Sequence, residues 1–150
     1  MNLKDKINEE LKASMKSGDK LRTTTIRSIR ALILEFEKSG VNRDMTSDEE
    51  IKLLSTAAKK RKESIEQFKN AGRNELAEQE QAELKIIEEF LPAQLSQNAI
   101  LEKVKSIAAE IGATDKTHFT KLMPRAVQEL KGQADGKVIK EIVEKVLSGS

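Results

Sequence analysis

The chain has 150 residues, no cysteine, tryptophan or tyrosine and only four phenylalanines, and 35% of it is charged with a net charge of only +2. A charge so evenly balanced does not mark a strongly basic nucleic-acid binder, and the missing cysteines exclude disulfides and thiolate metal sites and fit a reducing, cytosolic setting. The N-terminus Met1-Asn2-Leu3-Lys4-Asp5 lacks the apolar core of a signal peptide, and no apolar run approaches the roughly 20 residues of a membrane span.

Leu3, Ile7, Leu11 and Met15 step by four and predict a first amphipathic helix ending near Ser17-Gly18. Asp19 is placed to cap a second helix with the stripe Leu21, Ile26, Ile29, Leu32, Ile33 and Phe36. Arg22, Arg27 and Arg30 flank that stripe, either as solvated stems over the core or as a contact surface for phosphate or carboxylate. After a loop from Ser39 to Thr46, Ser47-Asp48-Glu49-Glu50 matches a capping box, with Ser47 as cap and Glu50 reaching back. Residues 48–92 then read as a helical hairpin sorted by charge. Lys52, Lys59, Lys60, Arg61, Lys62, Lys69 and Arg73 form its basic arm, and Glu75, Glu78, Glu80, Glu83, Glu88 and Glu89 its acidic arm. Gly72 and Arg73-Asn74 break the run, with Asn74 as the expected cap of the second arm, and Leu91-Pro92 ends it.

Beyond Pro92 the pattern restarts. Ser96 caps a helix carrying Ile100, Leu101, Val104, Ile107, Ala108 and Ile111, closed by Gly112. Asp115 caps the next, with Phe119, Leu122, Met123, Ala126, Val127 and Leu130 inward; Pro124 inside it predicts a kink or a late start. Asp135 caps the last helix, which buries Val138, Ile139, Ile142, Val143, Val146 and Leu147 before a frayed Ser148-Gly149-Ser150 tail. No segment alternates with a strand period. The expectation is an all-α protein: an N-terminal helical bundle of about four helices over residues 1–93 and a small three-helix domain over 94–150. Residues 1–92 hold 18 basic and 18 acidic side chains, and residues 93–150 hold 9 and 7, so the surplus positive charge lies in the small domain.

The residues offer no catalytic set. His118 is the only histidine and stands beside Phe119 at a helix start, a poor basis for a metal site or a Ser/His/Asp triad. Gly132-Gln133-Ala134-Asp135-Gly136-Lys137 is one residue too short for a phosphate loop, has Val138 where Ser or Thr would hold magnesium, and follows no strand. Paired glutamates such as Glu80 and Glu83 read as a solvated helix face. Neither a cofactor nor a metal is expected.

Three stretches carry a family resemblance: Lys59-Lys60-Arg61-Lys62-Glu63-Ser64-Ile65-Glu66-Gln67-Phe68 running on to Ala71-Gly72-Arg73; Glu80 and Glu83-Leu84 followed by Phe90-Leu91-Pro92-Ala93-Gln94-Leu95; and Lys121-Leu122-Met123 with Gly132-Gln133-Ala134-Asp135-Gly136-Lys137. Together with Ile26-Arg27-Ser28-Ile29, they make the chain resemble the YqeY family, also called GatB/YqeY, over nearly its whole length. The resemblance implies an N-terminal bundle and a three-helix C-terminal domain similar to the tail of GatB, a subunit of the tRNA-dependent amidotransferase that forms Gln-tRNA or Asn-tRNA. It also implies tRNA as a partner, or an aminoacyl-tRNA synthetase or amidotransferase component. The family label of carbon–nitrogen ligase with glutamine as amido donor finds no catalytic constellation here.

Two functional expectations follow. A non-catalytic tRNA-binding adaptor would use Lys121, Arg125, Lys131, Lys137 and Lys140, with Gly132 and Gly136 letting backbone amides approach a phosphate at the start of the last helix. A protein-interaction module would instead dock a partner through the hairpin, with Lys59, Lys60, Arg61, Lys62 and Arg73 as its contacts. A monomer with no membrane association is expected.

Overall fold

The computed structural model describes residues 1–149. Its helices are α1 (Leu3–Ser17), α2 (Lys20–Lys38), α3 (Ser47–Asn70), α4 (Asn74–Glu88), α5 (Gln97–Ile111), α6 (Phe119–Glu129) and α7 (Gly136–Leu147), with a 3₁₀ turn at Lys116–His118 leading into α6. The fold is all-α, with no strand among the described residues. It divides into two compact units, Met1–Leu91 and the chain from Pro92 onward.

Aliphatic side chains close the N-terminal unit. Leu3 and Ile7 of α1, Ile26, Ile29 and Ile33 of α2, Leu54 and Ile65 of α3, and Leu84 and Ile87 of α4 are all buried in one cluster. Met15, expected inward, is instead 55% exposed. The reason is the helical period: three steps of four from Leu3 overshoot a 3.6-residue turn and rotate Met15 by about 120° from Leu3. Ser14 takes the inward position, donating to the Leu11 carbonyl at 3.0 Å and accepting from the Thr23 hydroxyl of α2 at 3.0 Å. Leu76 and Val127 are also more exposed than their expected stripes imply, at 40% and 39%.

Asp19, Ser96 and Asp135 cap α2, α5 and α7 as expected, each accepting a backbone N–H of the first turn. The cap of α3 lies one residue earlier than expected. Thr46 accepts from the Glu49 N–H, and the Glu49 carboxylate accepts from the Thr46 N–H at 3.0 Å. Glu50 is committed elsewhere, accepting from the Leu3 N–H at 2.6 Å and so closing the start of α1 from 47 residues away. Asn74 is the first residue of α4 rather than its cap, and no side chain caps that helix. Gly72, at φ 72°, and the bond from the Arg73 N–H to the Phe68 carbonyl at 2.8 Å close α3 so tightly that α4 begins at once. In the C-terminal unit, Asp115 caps the 3₁₀ turn and α6 starts late, at Phe119, then runs unbroken through Pro124. Thr120, whose carbonyl loses its partner to Pro124, is exposed to solvent. At the far end the Gly149 N–H reaches the Val146 carbonyl and closes α7, while Ser150 of the expected frayed tail lies outside the described residues.

Two guanidinium groups tie the N-terminal helices together. Arg22 of α2 bonds Glu10 of α1 at 2.7 Å and Glu89, just past α4, also at 2.7 Å. These two hydrogen bonds hold its proton more tightly than an ordinary arginine's. Arg61 of α3 is only 22% exposed, with Nε 3.0 Å from Glu83 and 3.4 Å from Glu80 of α4, and its Nη2 donates to the Ser28 hydroxyl of α2 at 3.5 Å. Two carboxylates therefore share one cation, and neither Arg61 Nε nor Glu80 Oε2 has a well-directed hydrogen bond.

Burial, and then the negative charge of Glu83, raise the proton affinity of Glu80 above the ordinary carboxylate value of 4.5. A raised native value means that the contribution of Glu80 to stability is complete below pH 4.5 and is lost as pH climbs through the raised value. Glu80→Gln is accordingly expected to raise the urea midpoint at pH 8 and to flatten its fall between pH 5 and pH 8, read by circular dichroism. Glu49 behaves in the opposite sense. Its hydrogen bond with Arg43 and then that with the Thr46 backbone hold it down at about 2, so its contribution is present above pH 4.5 and disappears as pH falls towards 2. Glu49→Gln should weaken the chain at pH 6 and remove part of the acid limb of the same titration.

Candidate functional site

The C-terminal unit is built on Ile100, Val104 and Ile107 of α5, Leu122 and Ala126 of α6 with Leu130 just beyond it, and Ile139, Ile142, Val143 and Leu147 of α7. The start of α6 lies against the end of α7, with Lys116 and Phe119 lining one depression together with Glu144 and Leu147, so α6 and α7 run antiparallel. Their connecting turn is held by the segment that enters the unit. Gln94 donates to the Gly132 carbonyl at 2.6 Å, and the Leu95 N–H donates to the Gln133 carbonyl at 2.9 Å. Gly132 sits at φ 76°, in the left-handed region where a side chain is strained.

The expected phosphate contacts fall into separate places on this frame. Lys121 is exposed on the first turn of α6. It lies eight residues before the helix end at Glu129, about 12 Å of rise, and therefore far from the start of α7. Lys131 is exposed in the turn, and Gly136, Lys137 and Lys140 are exposed on the first two turns of α7. Sequence proximity grouped these residues; the antiparallel pairing spreads them along the unit.

Two of the expected contacts already have partners within the unit. Arg125 bonds Glu110 of α5 at 3.0 Å and Glu129 of α6 at 3.1 Å, and the Glu129 hydrogen bond followed by the Glu110 charge raises its proton affinity. It clips α5 to α6 instead of standing open to an anion. At the start of α7, the Asp135 carboxylate accepts the Lys137 N–H at 3.0 Å, so one amide that a phosphate would use already serves an anion. Gly136 is also not required by the fold: its φ is ordinary, and a Cβ built on it would meet nothing within 4 Å.

On the hairpin, Lys59, Lys60, Lys62 and Arg73 are exposed as a docking surface requires, but Arg61 is not. It points inward at Glu80 and Glu83, so the two arms meet each other at this point. Sequence reading missed this cluster although a signal existed: Arg61 and Glu83 each stand 11 residues from Gly72, which makes them opposite one another across the turn. His118 has a local task, its Nδ1 accepting from the Thr114 and Asp115 N–H groups at 3.3 and 3.4 Å. Among the described residues no group of three or more His, Cys, Asp or Glu could hold a metal ion, and no helix is long and apolar enough to cross a membrane.

Comparison with known proteins adds the following. The profile of the family described as Yqey-like protein matches residues 4–147. A relative from Pyrenophora tritici-repentis, named altered inheritance of mitochondria protein 41, mitochondrial, is 31% identical over 147 residues, covering 95% of this chain and 79% of its own length. The protein of the same name from Clavispora lusitaniae is 33% identical over 140 residues, 89% of this chain and 81% of its own. That from Lachancea thermotolerans is 33% identical over 108 residues, 70% of this chain and 57% of its own. These names overturn the cytosolic setting expected from composition, since the relatives are mitochondrial proteins by name. With its profile matched from residue 4 to residue 147 of 150, the chain belongs to the Yqey-like protein family.

Proposed function

We propose that this protein is a non-catalytic tRNA-binding adaptor, an accessory to tRNA-dependent amidotransfer that contacts nucleic acid through its C-terminal unit. The observation that carries the reading is the set of exposed cations Lys121, Lys131, Lys137 and Lys140 on a unit with surplus positive charge. Lysines strung along two antiparallel helices suit a phosphate backbone, read by shape and charge and not by base identity. A catalytic role for Glu80 and Glu83 has no support, because Arg61 lies against both carboxylates between packed helices. The names of the relatives state a mitochondrial setting and no activity.

Binding of labelled total tRNA to the full chain across a salt series tests this. Affinity is expected to fall as salt rises, because each phosphate contact releases a counterion. Replacing Lys121, Lys137 and Lys140 together with alanine should reduce the log–log salt slope by about three. No binding of the intact chain at low salt would remove the proposal. Gly136→Ala separates fold from function. It should stabilise the chain by about 0.4–1 kcal/mol in urea melts, since the alanine is compatible with α7 and restricts the unfolded chain. If backbone approaches phosphate at this position, the same variant binds tRNA less well.

A further inference from the structure

Five threonines lie in the α-helices, and four of them, Thr23, Thr24, Thr25 and Thr56, donate their hydroxyl to the carbonyl four residues back at 2.7–2.9 Å. The fifth, Thr120, does not. Its candidate acceptor, the Lys116 carbonyl, belongs to the 3₁₀ turn and already takes the Phe119 N–H. The Thr120 carbonyl is equally unserved. Pro124 has no N–H to give it, and no group from outside α6 donates to it among the described residues. Thr120 is exposed, so one residue presents an open hydroxyl and an open carbonyl side by side on a rigid helix.

The surroundings favour an anion. Thr120, Pro124 and Val127 follow at steps of four and three, so they share one exposed face of α6, with Lys121 next to Thr120. The single carboxylate of α6, Glu129, is held by Arg125 at 3.1 Å. It stands nine residues after Thr120, and nine steps of about 100° place it on the opposite side of the helix. On α7, Lys137, Lys140 and Lys145 are exposed alongside Glu141 and Glu144. Glu144 meets the start of α6 in company with Lys116 and Lys145.

Lysines answer to phosphate charge and do not tell RNA from DNA. The group that does is the ribose 2′-OH, which is both donor and acceptor. A carbonyl next to a hydroxyl matches it in both roles, and Pro124 and Val127 offer the sugar ring an apolar surface. The geometry points to Thr120 as the ribose-reading position of this protein: the carbonyl that Pro124 leaves open accepts a ribose 2′-OH beside a phosphate held by Lys121, so the C-terminal unit prefers RNA to other polyanions. This rests on tRNA being the ligand and adds the group by which the protein recognises it as RNA.

The test titrates the full chain against a labelled RNA stem-loop and the same stem-loop built with 2′-fluoro ribose, which keeps the A-form but has no hydroxyl to donate. The RNA is expected to bind roughly threefold to tenfold tighter, the range of one hydrogen bond. Pro124→Ala returns an N–H to the Thr120 carbonyl. It should raise the urea midpoint, because a proline inside a helix costs stability, and bring the two affinities within about twofold of each other. A variant that is more stable yet less selective cannot owe its loss to misfolding. Lys121→Ala should weaken both probes alike and leave their ratio unchanged. No binding of either probe, or of total tRNA, at low salt removes the tRNA reading and this one with it. Equal binding of the two stem-loops by the unaltered chain, or a preference that survives Pro124→Ala, overturns this inference alone and leaves tRNA as a ligand held by charge.

Discussion

The Arg22 guanidinium reaches two carboxylates at once, Glu10 on α1 and Glu89 beyond the end of α4, and thereby joins the first, second and last helices of the N-terminal unit. Its planar fork can hold two acceptors in fixed directions, which the single ammonium of a lysine cannot. The stabilisation is modest, because both carboxylates are partly in water and such pairs contribute roughly 0–1 kcal/mol. Geometry is what it supplies. The bulk of the stability comes from isoleucine, leucine and alanine burial, with Phe68 and Phe90 partly buried against that cluster. Apolar burial is non-directional, and the polar contacts at the margins of this interior add direction to it.

Arg61 does the same for α3 and α4, and Arg125 for α5 and α6. Three of the seven arginines, Arg22, Arg61 and Arg125, clip helices together, whereas the lysines, on long flexible stems, mostly remain at the surface. The net charge of +2 hides this division, because it averages cations buried in intramolecular pairs with those free to meet a partner. Any electrostatic account of the protein has to begin from the second group.

Much of the fold was legible in the sequence because its signals are local. Asp19, Ser96 and Asp135 each stand immediately before an apolar run, and each caps the helix that follows. The failures arose where a local pattern offered two solutions and a distant residue chose between them. Ser47/Glu50 and Thr46/Glu49 are both plausible boxes one residue apart, and the demand of the Leu3 N–H for Glu50 settles the frame. The candidate site was less legible for the same reason. Arg125 reads as a free cation until α5 brings Glu110, fifteen residues back in the sequence, to within 3.0 Å. Arg61 could have been found, but only by treating Gly72 as the fold line of a hairpin and asking which residues face each other across it.

The bonds from Gln94 and Leu95 to the carbonyls of Gly132 and Gln133 make the entrance of the C-terminal unit and its last turn one mechanical piece. Residues 94 and 95 therefore cannot shift without breaking these two bonds or carrying the backbone of residues 132 and 133 with them, so the segment that enters the unit and the turn that precedes α7 move as one body.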